Sequence, residues 1–99
     1  MAEADIETLR KAIHNLHSCD STWIESVPVK ETFQGQTVWE GVVHVFALHG
    51  HQAAKRCYAW SHETDKGKRR FVAVLHQGPV DSPEKAVRAA IMQESKGKN

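Results

Sequence analysis

Apolar residues near the start of the chain fall at Ile6, Leu9, Ile13 and Leu16. Steps of three and four residues put them on one side of a helix, so the spacing predicts an amphipathic helix over about residues 4–17. Ser18-Cys19-Asp20-Ser21 breaks the pattern. In residues 23–33, Trp23, Ile24, Val27 and Val29 favour a strand, and Pro28 restricts it to an edge or bulged position. Gln34-Gly35 reads as a turn. The strongest strand pattern runs from Val38 to Leu48, and Gly50 opens a loop that lasts through Lys55. Arg56 to Glu63 alternates again, Asp65-Lys66-Gly67 is a turn, and Phe71 to Leu75 is a short apolar strand closed by Gly78-Pro79. The last helix has the clearest local grammar. Ser82 is a cap, Pro83 occupies the first helical position, and Glu84 sits in the positive first turn. Ala86, Val87, Ala90 and Ile91 form its apolar stripe. The order α-β-β-β-β-α predicts an α+β fold built on an antiparallel meander sheet. It forms a single domain over 1–95 with a frayed tail over 96–99.

Strand alternation then assigns faces. A loop centred near Gln52 sets Phe46 opposite Tyr58, His44 opposite Trp60 and Val42 opposite His62. A turn around Lys66 sets Tyr58 beside Val74, Trp60 beside Val72 and His62 beside Arg70. On this reading Val42, His44, Phe46, Tyr58, Trp60, His62, Val72 and Val74 share one face, where His44, Phe46, Tyr58, Trp60 and His62 form an aromatic–histidine stripe. Val43, Val45, Cys57, Ala59, Ser61, Phe71, Ala73 and Leu75 share the other. Small residues in the middle strand admit a helix closely, so both helices are expected to be packed on that one face, with Cys57 buried beneath them. The stripe is left as a ligand or interface face. Such a patch most often meets a second copy of the chain. The competing arrangement folds residues 18–33 over the stripe and closes it.

Composition narrows the class. The chain has 99 residues, 40% hydrophobic and 25% charged, which is globular rather than disordered. No apolar run approaches the roughly 18 residues of a membrane span. The acidic start, Met1 to Asp5, lacks the basic and apolar regions of a signal peptide, so Cys19 and Cys57 are expected to be free thiols and the location cytoplasmic. The net charge is +1, yet residues 1–50 carry three basic and seven acidic residues and residues 51–99 ten and five. The basic half includes a turn with Lys68, Arg69 and Arg70, which are anion-binding candidates; a solvated hairpin tip is the plainer reading.

Candidate chemistry is sparse. His49-Gly50-His51 lacks further ligands at a recognised spacing, so no metal is assigned. Cys57 falls on the opposite face from His44 and His62, which defeats a thiol–imidazole pair. No phosphate loop or nucleophile elbow is present. No catalytic residue and no cofactor are implied. The reading leans away from an enzyme and towards a non-enzymatic interaction domain that homodimerises, with a small ligand or protein partner as the other occupant of the stripe.

The stretch Gly50-His51-Gln52-Ala53-Ala54-Lys55-Arg56-Cys57-Tyr58-Ala59-Trp60 resembles a hairpin of small uncharacterised bacterial α+β proteins, which implies lineage but no activity. Over roughly its last two-thirds the chain is also similar in topology to double-stranded RNA-binding domains. Those domains open their final helix with lysines that contact phosphates, whereas this helix opens Asp81-Ser82-Pro83-Glu84-Lys85. Nucleic acid is therefore not the expected partner.

Overall fold

A computed structural model describes residues 2–63 and 67–97. Its elements are α1 (Ala2–His17), β1 (Asp20–Phe33), β2 (Gln36–His49), β3 (Arg56–Glu63), β4 (Arg69–Leu75) and α2 (Pro83–Gly97). The four strands form one antiparallel meander in the order β1-β2-β3-β4. This is the α+β arrangement that the sequence pattern predicts. Residues 64–66 of the expected β3–β4 turn and 98–99 of the expected tail lie outside the described residues.

Local chemistry accounts for most of the element boundaries. Gln34 and Gly35 both have positive φ, 53° and 79°, which suits the right-handed twist of a two-residue hairpin between β1 and β2. Pro28 lies on an edge strand, where a sheet tolerates a missing N–H. At the start of α2 the Lys85 N–H donates to Ser82 Oγ at 3.3 Å and the Ala86 N–H to the Ser82 carbonyl at 3.0 Å, so Ser82 is the cap and Pro83 the first helical residue.

Register decides the faces. The β3–β4 pairs Tyr58–Val74, Trp60–Val72 and His62–Arg70 are those expected from the turn. Between β2 and β3, however, Phe46 pairs with Cys57 and His44 with Ala59. This is one residue away from the expected register, and a one-residue slip turns every side chain to the other face. The loop explains the slip. His51 Nδ1 accepts the N–H groups of Ala53 and Ala54 at 3.1 and 3.0 Å, and the Leu48 N–H donates to the Lys55 carbonyl. The loop therefore centres between His51 and Gln52 rather than on Gln52.

A second irregularity lies in β1. Trp23 pairs with Phe46 and Glu25 with Val45, which leaves Ile24 bulged out. Ser21 and Trp23 consequently share a face with Phe46 and Leu48, whereas Val27 and Val29 share the opposite face with Val43 and Val45.

Two cores result, one on each side of the sheet. Under α1, Leu9 and Ile13 pack on Phe46, Leu48, Cys57 and Ala59. Under α2, Ala86 and Val87 pack on Val43, Val45, Tyr58 and Trp60. The helices thus cover opposite faces, and the expectation that both pack on one face is corrected. The small residues Cys57 and Ala59 do admit a helix, but that helix is α1 alone. The link from His76 to Ser82 turns at Gly78 and is long enough to carry the chain round the sheet end, so α2 reaches the face opposite α1. Arg88 Nε on α2 donates to Glu31 Oε1 on β1 at 2.6 Å, and this hydrogen bond raises the Arg88 pKa.

Candidate functional site

The expected stripe is divided between the two sides. Phe46 is fully buried beneath α1, and Tyr58 and Trp60 are buried beneath α2. Trp39 meets Trp60 edge-to-face at 5.6 Å between ring centroids. His62 alternates with Tyr58 and Trp60, so it belongs to the α2 side; His44 belongs to the α1 side. The structure therefore brings Tyr58, Trp60 and His62 to one face and His44 and Phe46 to the other. Residues 18–33 do not fold over any face. They form β1 and its connection to α1.

An uncovered apolar surface exists, but it is made of other residues. β1 and β2 have fourteen residues each, whereas β3 has eight and β4 seven. Among the described residues the pairing of β2 with β3 stops at His44–Ala59, so the β1–β2 hairpin runs on as an arm. On its α2 side the arm is closed, with Val29 and Val43 buried. On its α1 side it is open, with Trp23 46% exposed and Val42 47%; Val38, at a second bulge between Thr37 and Trp39, and Phe33 are exposed towards the tip. Ser26 Oγ joins this surface together, accepting from Trp23 Nε1 at 3.1 Å and lying 2.7 Å from His44 Nδ1. Lys30 and Glu40 face each other across the same two strands. Val42 and His44 are the two stripe positions that remain on the open surface. Trp23, Phe33 and Val38 escaped the sequence reading. The signal that marks them is length, because an apolar pattern that outruns its neighbouring strands leaves a two-stranded arm.

The remaining candidates have structural placements. Tyr58 Oη lies 2.6 Å from His76 Nδ1, and burial raises the Tyr58 pKa. Burial pushes the Cys57 thiol up to about 12, with the neighbouring Cys19 adding to the shift, so Cys57 is an inert core thiol. His49 Nε2 lies 2.7 Å from Thr22 Oγ1, while His51 organises its own loop. Among the described residues no group of three His, Cys, Asp or Glu side chains could hold a metal ion. Arg69 and Arg70 are exposed at the start of β4, where Arg69 Nη1 donates to Ser61 Oγ at 3.2 Å. Lys68 is exposed beside them. Among the described residues no helix is long and apolar enough to cross a membrane.

No protein-family model, curated protein or solved structure matches the chain. The functional reading rests on the residues and their geometry.

Proposed function

We propose that the protein is a small non-enzymatic interaction domain that self-associates through the open α1 side of its β1–β2 arm. The observation that carries this reading is the exposure of Trp23 and Val42 on the α1 side of the arm, with Val38 and Phe33 exposed towards its tip. Exposed apolar side chains gathered on one side of a strand pair favour association over contact with water. A two-fold dimer covers them by using the same patch twice. The aromatic ring of Trp23 suits the centre of such an interface, and the polar Ser26 and His44 its wetter margin. Lys30 and Glu40 give the patch both signs of charge, so two copies related by a two-fold can pair each with the other's opposite. The two unbonded cysteines support a reducing, cytoplasmic setting for this domain.

Sedimentation over a range of concentrations tests the reading. The wild-type protein is expected to associate, and Val42→Asp is expected to shift it to monomer with an unchanged far-UV circular dichroism spectrum. A wild-type chain that stays monomeric at the highest soluble concentration defeats the proposal.

A further inference from the structure

The outer edge of the sheet carries a second, independent surface. β4 is an edge strand, so half of its backbone groups have no strand to pair with. Which half follows from the ladder: the His76 N–H donates to the Arg56 carbonyl, so the even-numbered positions of β4 bond inward to β3. Phe71, Ala73 and Leu75 turn their N–H and C=O groups outward. His17 Nε2 confirms that direction by lying 3.3 Å from the Ala73 carbonyl, to which it donates.

This edge lies at the bottom of a groove of about 530 Å³, with His17 of α1 on one side and Ala89, Ala90 and Gln93 of α2 on the other. The alanines keep the α2 wall low. Arg70 lines one end, Arg69 stands next to it, and among the described residues no carboxylate lines the groove. Unpaired strand hydrogen bonds, apolar walls and a basic end together describe a receptor for an extended chain.

We infer that the β4 edge binds an extended peptide by strand addition, the peptide placing acidic side chains beside Arg69 and Arg70. Main-chain bonds to Phe71, Ala73 and Leu75 supply affinity that is indifferent to sequence, and the basic end selects acidic partners. A second copy of this chain is the poorer occupant. Its own β4 edge carries the same Arg69 and Arg70, so two such edges bring like charges together. His17 holds one edge carbonyl and swings away when a peptide N–H takes its place.

The probe is a fluorescein-labelled Thr-Val repeat ending in a run of glutamates, followed by anisotropy and by amide exchange of the full-length protein. Binding is expected to slow exchange at Phe71, Ala73 and Leu75. The same peptide with proline at alternate positions is expected to lose at least about tenfold in affinity, a step of roughly 1.4 kcal/mol. Ala73→Pro removes an outward N–H without touching the β3 ladder, and it should weaken the acidic peptide by a similar factor. Arg70→Glu, which leaves the backbone alone, should weaken the acidic peptide and spare a lysine-ended one. No binding, equal binding of the proline peptide, or protection located away from β4 overturns the inference. Because Val42→Asp leaves this edge intact, loss of self-association and loss of peptide binding are read separately.

Discussion

Val42 and Val43 are neighbours in β2, yet Val43 has no exposed surface and Val42 keeps 47% of its own. The same contrast runs the length of the arm. Its α2 side carries Val29, Trp39 and Val43 against the helix, while its α1 side carries Trp23 and Val42 facing outward. Hydropathy alone does not separate the two sets, because valine and tryptophan occur in both. What separates them is reach. α1 is tied to the start of β1 by the short Ser18-Cys19 link and by Arg10, whose Nε donates to the Ser21 carbonyl at 2.9 Å. It covers the part of its face around Phe46, Leu48, Cys57 and Leu75 and no further. α2 arrives by a longer connection and lies over Val43, Val45 and Trp60, with Arg88 reaching Glu31 on the arm.

Truncating the two tryptophans gives the largest separation between these sides. Trp60→Ala should cost about 3–5 kcal/mol, because it empties the α2 core and removes the partner of Trp39. Trp23→Ala should cost less than about 1 kcal/mol, while weakening self-association. Urea unfolding monitored by far-UV circular dichroism measures both. Equal costs would mean that the two sides are equally closed.

The valine pair sharpens the same contrast at finer grain. Val43→Ala should cost about 2 kcal/mol from lost burial and the cavity left behind, and Val42→Ala less than about 0.5 kcal/mol. A large loss at Val42 would show that another part of the molecule covers the α1 side of the arm.

Ser82→Ala tests how firmly the α2 side is held at its helix start. Loss of the Ser82 Oγ acceptor for the Lys85 N–H should cost about 1 kcal/mol, read as a lower urea midpoint with an unchanged slope.

An effect absent at neutral pH concerns Cys57 on the α1 side. Its thiol rises from the ordinary 9.0 to about 12 in the folded protein, so the folded state favours the neutral form. The resulting stability is fully present below pH 9 and declines as pH rises from 9 towards 12. Between pH 8 and 10.5 the wild type should lose stability faster than Cys57→Ala. Parallel pH curves for the two proteins would show that the thiol ionises as easily when folded.

Several parts of this structure are legible in the residues because their causes are local. Ser82-Pro83-Glu84 specifies a helix start through groups within one turn of each other. Gln34-Gly35 specifies a hairpin because the next strands must turn within two residues. Pro28 restricts β1 to an edge through its own missing N–H. The β3–β4 register follows from the position of its turn alone. The candidate surfaces were less legible. Val42 and His44 were singled out and lie on the open arm, but Phe46, Tyr58 and Trp60, read as companions on the same face, are core residues of two different sides. Arg70 was singled out as an anion contact, and the structure places it at the end of a groove whose remaining walls come from β4, α2 and His17 of α1.

The chain by itself determines the α-β-β-β-β-α order, the antiparallel meander, the helix cap and the alternation within each strand. All of these depend on contacts between residues close in sequence. Tertiary structure decides which alternating set faces which helix. The β2–β3 register depends on His51 accepting two loop N–H groups, and the face of β1 depends on the bulge at Ile24. Each of these is a shift of one residue, and with a side-chain period of two, one residue is enough to exchange the inside of the molecule for its outside.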